Sequence, residues 1–326
     1  MKHVLVTAIG SFSADIVIKK LRSNNFYIVG CDIYNKEWIV DAYNVDAFYR
    51  APYAVDTIKY LAFIKEICIQ EKIDYIIPLT DIEVDIFNSN RAYFKDCNIT
   101  ICISSKSAID LCRNKNSLTD YINSHSLCKT ITTEPLNSFK NSDSDFPLVC
   151  KPYDGRSSQG LRYIKSQSEL DAFIVETTSD NSISKYIVQP FIKGSIITVD
   201  VIKQPGKKSQ IAVSRKELLR TLNGAGTSIY IFNDENLNLI SLKLADAIGI
   251  RGCVNFEFIA DDSGDYCFLE CNPRFSGGVE FSCIAGYDFI SNHMRCFTDD
   301  DIDTNPIIHN QYIARKFEEY VTKIEN

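Results

Sequence analysis

Residues 253–278, CVNFEFIADDSGDYCFLECNPRFSGG, hold the side chains best suited to phosphate chemistry. In an extended chain, alternation puts Asn255, Glu257 and Ile259 on one face and Phe256 and Phe258 on the other. In the following strand Phe268, Glu270 and Asn272 are expected to share a face. Ser263-Gly264 reads as a two-residue hairpin turn between Asp262 and Asp265, a register that sets Glu257 directly opposite Glu270. Like charges so placed destabilise a strand pair, and a divalent cation between them removes the conflict. Asn272 adds an amide carbonyl on the same side. Two carboxylates and an amide are hard oxygen donors that suit magnesium, which keeps waters and takes phosphates as further ligands. The bland alternative is a solvated hairpin with exposed acids, and the flanking Phe256, Phe258, Phe268 and Leu269 argue for burial instead. Arg274 follows two residues after Asn272, where a guanidinium can bind phosphate oxygens bidentately; its alternative is a salt bridge to a neighbouring acid.

Two lysines could supply positive charge. Lys151 ends the apolar run FPLVCKP and precedes a loop of small residues, YDGRSSQGLRYI, whose backbone amides can approach an anion closely. An ordinary hairpin with an exposed lysine fits the same pattern, and no GxxxxGK[ST] loop is present. Lys115 in CRNKNSLTDYI is a weaker signal of the same kind. In PLTDIEV, Asp81 and Glu83 lie where a helix begins; either Thr80 or Asp81 caps it, or the two acids face a cleft and orient an acceptor substrate. The turn AIGSFSAD carries one glycine where a dinucleotide fingerprint needs three, so Asp32 is not read as a ribose-binding acid.

Elements that could position these residues follow from periodicity. Over residues 1–105 short β-branched runs (3–8, 27–33, 74–79, 99–103) alternate with helical patterns (14–21, 56–71, 82–94), which predicts a parallel doubly wound sheet. Residues 106–130 read as helical, continuous as far as Cys128. Beyond the polar loop 138–145 the pattern becomes α+β: strands at 146–151, 161–165, 186–191, 196–203, 253–259 and 266–271, and a helix at 237–248. Residues 312–324 are expected to form a surface helix.

Composition excludes several classes. The chain has 326 residues, 45% hydrophobic and 24% charged, so it is globular and long enough for about two domains. A net charge of −7 without a basic block argues against a nucleic-acid partner. No apolar run reaches the ~18 residues of a membrane span. Twelve scattered cysteines with no CxxC pair, and Asp15 where a signal peptide would still be apolar, point to reduced thiols in the cytoplasm.

Taken in order, NK at 114–115, FPLVCKP at 146–152, the loop 154–160, VQPFIKG at 188–194, VNFEF at 254–258 and FLECNPRFSGG at 268–278 resemble the ATP-grasp superfamily, near its carbamoyl-phosphate-synthase-like branch. The resemblance runs from His3 to about Asp288. It implies a Rossmann-like pre-ATP-grasp domain over 1–105, an α+β ATP-grasp domain over 106–306 with a small lid subdomain near 115–188, and a C-terminal helix or tail over 307–326. It implies that Lys115 and Lys151 bind ATP phosphates and that Ser157, Ser158, Gln159 and Gly160 fold over them. Gln189 and the backbone of Pro190, Phe191 and Ile192 would hold adenine. Glu257, Glu270 and Asn272 would hold two magnesium ions, with manganese as a substitute. Arg274 would contact the transferred phosphoryl group, and Arg215 would be a further anion-binding residue. Ile196 stands where such proteins usually carry a glutamate for the ribose hydroxyls.

The function so implied is ATP-dependent ligation of a small-molecule carboxylate to an amine through an acyl phosphate, by an enzyme that could assemble as a homodimer. Two alternatives stay open: a carbamate- or bicarbonate-phosphorylating enzyme of the carbamoyl-phosphate-synthase type, and a non-catalytic nucleotide-binding subunit. No Ser-His-Asp or Cys-His pattern surrounds the four histidines, which suits chemistry without a covalent enzyme nucleophile.

Overall fold

The computed structural model describes residues 1–140, 146–156, 158–222 and 224–325. The chain opens with five parallel strands in the order Ala47–Arg50, Tyr27–Asp32, His3–Thr7, Tyr75–Ile77, Thr100–Ile101. Val4, Leu5, Val6, Ile28, Val29 and Ile76 are fully buried, because helices cover both faces of the sheet. Ala14–Ser23 packs Val17 and Leu21 on one face, while Thr57–Gln70 and Asp81–Ser89 pack Tyr60, Ile64, Val84 and Phe87 on the other. The carboxyl ends of the strands feed the loops at 8–13 and 78–80.

Where one continuous helix was expected after residue 105, there are two, Lys106–Arg113 and Lys115–Ser124. Asn114 breaks the run: its backbone is extended, and its side chain accepts from the Ser117 amide as an N-cap. The helix expected over 82–94 likewise divides, into Asp81–Ser89 and Arg91–Asp96.

Two antiparallel sheets follow. A four-stranded sheet has the order Glu134–Pro135, Tyr186–Pro190, Leu148–Pro152, Arg162–Ile164, backed by the helix Gln167–Ser179. A six-stranded sheet has the order Tyr266–Asn272, Gly252–Asp261, Gly194–Lys203, Gln210–Arg220, Gly226–Phe232, Gln311–Ala314. The helix Glu235–Ile248 closes one face over Val199, Val201, Phe256 and Phe258. The mixed α/β architecture expected from the sequence is therefore present. The expected C-terminal helix is not: Gln311–Ala314 is a strand paired with Ser228–Ile231, and 315–325 has no regular structure. Edge pairing satisfies backbone groups there that an isolated surface helix would have had to satisfy alone.

Candidate active-site cleft

A cleft of about 750 Å3 opens between the loops at the carboxyl end of the parallel sheet and the facing surfaces of the two antiparallel sheets. Its floor is the strand pair Gly252–Asp261 and Tyr266–Asn272. Asn255 lies opposite Asn272, and Glu257 lies directly opposite Glu270. The hairpin reaches this pairing by a different route from the one expected. Asp261 closes on Asp265 around a three-residue loop, which on its own would shift the register by one. An extra residue at Leu269 forms a bulge between the pairs Phe258–Phe268 and Glu257–Glu270 and restores it. Phe268 and Glu270 therefore do not share a face. Phe268 packs edge-on against Phe256 and Phe258 in the core, while Glu270 turns to the cleft.

The electrostatics of the acid pair are uneven. Burial, then the charge of Glu270, pushes the Glu257 carboxyl above the usual range; it forms an ion pair with Arg220, Nη2 to Oε2 at 3.4 Å. For Glu270 burial works in the same direction, but the charges of Lys115 and Lys151 outweigh it and hold the carboxyl below the usual range. Lys115 Nζ lies 3.3 Å from Glu270 and donates to the Gly155 carbonyl at 2.7 Å. Lys151 is 7% exposed, and burial brings its ammonium down to about 8; its Nζ has no hydrogen-bond partner among the described residues. Asn272 donates its amide to Asn255 Oδ1 at 3.1 Å, which leaves its carbonyl oxygen as the free end.

These residues fit a hard divalent cation. Two buried carboxylates face each other directly, Arg220 does not offset the upward push on Glu257, and an amide oxygen stands beside them. Among the described residues no three His, Cys, Asp or Glu side chains form a metal-holding group, so a cation here would use Asn272 and non-protein oxygens as its remaining ligands.

One wall is apolar, formed by Ile131, Ile192, Ile196, Ile259 and Leu269, with Val149, Gln189, Pro190 and Phe191 beside it. Ser158 and Gln159 line the loop side of the cleft; Ser157 lies outside the described residues. Gly160 points elsewhere: with φ +72, its position faces Pro152 and Tyr186, and a Cβ there would meet Pro152 Cγ at 2.9 Å.

Four expected anion- or acceptor-binding side chains are otherwise engaged. Arg274 lines the cleft, but its Nε and Nη2 donate to both oxygens of Asp81 at 3.0 and 2.7 Å, and Nη1 donates to the Phe275 carbonyl. The salt-bridge alternative holds for it, and Asp81 is a buried tie between distant elements rather than a free acceptor-orienting acid. Burial opposes ionisation of Asp81, and Arg274 outweighs it. Glu83 is absent from the cleft wall. It is 4% exposed and accepts from Tyr60 Oη and Thr80 Oγ1, both at 2.7 Å, so it closes the helix start, as the capping alternative requires. Arg215 is 2% exposed at the cleft floor, and its guanidinium is engaged by Asp200, Glu217 and Ser276. Asp32 ties the first turn by accepting from the Gly10 and Tyr34 amides.

Arg220, Glu217, Arg113 and Arg156 were not foreseen at the site. Arg220 reaches the cleft through register shifts after Glu217, which single-strand alternation does not show. Arg113 pairs with Asp85 at 2.9 Å, and Arg156 lies 3.8 Å from the same carboxylate. Their signal in the sequence was position alone, one directly before the NK motif and one within the small-residue loop.

Among known families, residues 182–319 match the one described as ATP-grasp in the biosynthetic pathway with Ter operon, and residues 15–102 match the PylC-like N-terminal domain. The chain is 26% identical over 154 residues to the carbamoyl phosphate synthase large chain of Clostridium beijerinckii, a stretch covering 44% of this chain and 14% of that protein. It is 25% identical over 170 residues to the multifunctional protein ura1 of Schizosaccharomyces pombe, covering 48% of this chain and 8% of that one. Two solved structures share the fold. The biotin carboxylase domain of Hydrogenobacter thermophilus 2-oxoglutarate carboxylase, solved as a dimer with MgADP, ADP and bicarbonate, has a TM-score of 0.79 at 17% identity, over 95% of this chain and 73% of that one. The N5-carboxyaminoimidazole synthetase of Staphylococcus aureus has a TM-score of 0.74 at 14% identity, over 94% and 80%. Residues 182–319, which contain Glu257, Glu270 and Asn272 of the cleft floor, thus match an ATP-grasp domain, and residues 15–102 match a PylC-like N-terminal domain.

Proposed function

We propose that this protein is an ATP-dependent ligase that joins a small-molecule carboxylate to an amine. The observation that carries the reading is the direct opposition of Glu257 and Glu270, with Lys115 and Lys151 beside them in one cleft. In the first step a carboxylate oxygen of the substrate attacks the γ-phosphorus of ATP, giving an acyl phosphate and ADP. In the second the amine nitrogen attacks the acyl carbon, phosphate leaves and the amine loses a proton. Magnesium, two ions in this reading with manganese as a substitute, would supply charge neutralisation for the phosphates when bound.

The chain's own residues divide the work. Lys115 and Lys151 hold the phosphates, and the loop carrying Ser158 and Gln159 covers them. Gln189 and the backbone of 190–192 hold the base against the apolar wall of Ile192, Ile196 and Leu269. Glu257, Glu270 and Asn272 hold the metal. Arg220, beside Glu257, is the arginine placed to meet anionic oxygens, in the role first given to Arg215 and Arg274. The first domain supplies the acceptor side through the loop at Gly10–Ser13. A homodimer in the cytoplasm is the assembly we propose, in line with the dimeric Hydrogenobacter domain and twelve unpaired thiols.

The test is magnesium-dependent release of ADP and phosphate, screened against libraries of carboxylates and amines with bicarbonate as a separate arm. Stimulation by one carboxylate–amine pair, with stoichiometric product, supports the ligase. Stimulation by bicarbonate alone, or no nucleotide binding at all, overturns it.

A further inference from the structure

Resting on that reading, we propose that Thr133 sets the base preference of the nucleotide site by locking the Gln189 amide with its carbonyl oxygen toward the base. Thr133 stands behind Gln189, one step along from the strand pair Glu134–Val188. The Thr133 hydroxyl donates to the Ile131 carbonyl at 2.8 Å. A hydroxyl has one proton, so with that proton spent its oxygen can only accept from a further partner. The partner is the Gln189 side chain, at 2.7 Å. Both contacts are hydrogen bonds only if Gln189 presents Nε2 to Thr133. The orientation of the amide is therefore dictated by the network.

The consequence falls on Oε1. Gln189 is 5% exposed and lines the cleft on the same face as Val149, its strand partner. Among the described residues the Gln189 side chain makes its hydrogen bond through Nε2, and Oε1 is left to the cleft. The site thus offers a lone acceptor in a largely apolar wall. A 6-amino purine satisfies that acceptor with an N–H. A 6-oxo purine sets a carbonyl oxygen against it and leaves both unpaired, a mismatch that a water-poor site rejects strongly. Without the Thr133 hydroxyl the amide can turn, offer Nε2 and accept the 6-oxo base.

The experiment measures the affinity of the full chain for ADP and for IDP by calorimetry. Wild-type protein is expected to prefer ADP by about thirtyfold or more. Thr133→Val, nearly isosteric, is expected to bring that preference to within about threefold, chiefly by tightening IDP. Thr133→Ser should behave as wild type. Gln189→Glu, which accepts through either oxygen, should keep the adenine preference both alone and combined with Thr133→Val. This rescue separates orientation of the amide from general damage, which would weaken both nucleotides together. An unchanged ADP-to-IDP ratio in Thr133→Val, or equal weakening of both, overturns the inference while leaving the ligase reading intact. Failure of wild-type protein to bind either nucleotide overturns both.

Discussion

Arg274 and Asp81, 193 residues apart in sequence, form a bidentate ion pair that joins the strand carrying the acid cluster to the helix start of the first domain. The pair is buried on the carboxylate side, with Asp81 4% exposed. Removing one partner strands the other's charge in a desolvated place. Asp81→Asn is expected to destabilise the protein by about 3 kcal/mol in denaturant titration, and Asp81→Asn/Arg274→Met to recover part of that loss. Wild-type stability with a raised KM for the acceptor would instead mark Asp81 as a substrate contact.

Glu270→Gln should retain the fold and lose magnesium-dependent turnover by about a hundredfold or more. The substitution removes the Lys115 ion pair but also the repulsion between the opposed carboxylates, so the two effects on stability offset in part. The check is kcat at saturating magnesium alongside a thermal melt. Near-wild-type turnover would sink the metal assignment.

Lys151 couples stability to pH in a defined direction. Burial lowers its ammonium from 10.5 to about 8. Between those values the unfolded chain binds more protons than the folded one, so this lysine's contribution to stability rises with pH from about 8 to 10.5 and is least favourable below 8. Lys151→Met is therefore expected to be more stable than wild type at pH 7 without nucleotide, with the gap narrowing at pH 9.5, as read by urea unfolding.

The same substitution should weaken ATP by about thirtyfold and AMP by less than about threefold, because the lost charge faces phosphates beyond the first. Equal loss for both nucleotides would make Lys151 a structural residue. Wild-type binding at pH 8 should also take up protons, visible as a dependence of the binding enthalpy on buffer.

Glu83→Gln is expected to lower stability by about 1–2 kcal/mol through the hydrogen bonds from Tyr60 and Thr80, and to leave acceptor kinetics unchanged. A raised acceptor KM at unchanged melting temperature would contradict the structural role.

The sequence by itself determined the alternating first sheet, the order of the motifs and the facing of Glu257 and Glu270. Strand period, helix period and glycine or asparagine breaks are local properties, and they act wherever the chain goes. The pairing of the two acids is a case in which a local argument reached the right contact by the wrong path. A two-residue turn was read where three residues turn, and the bulge at Leu269 supplied the difference. Bulges and register shifts come from packing on both faces of a sheet, so alternation along one strand could not show that Phe268 faces away from Glu270 or that Arg220 enters the cleft. Only the tertiary structure decided which charged side chains are free. Arg274, Arg215, Asp81 and Glu83 have suitable chemistry, but each is engaged by a partner from another element of the fold. Lys151 has no hydrogen-bond partner among the described residues, and burial lowers its ammonium even against the charges of Glu270 and Glu257.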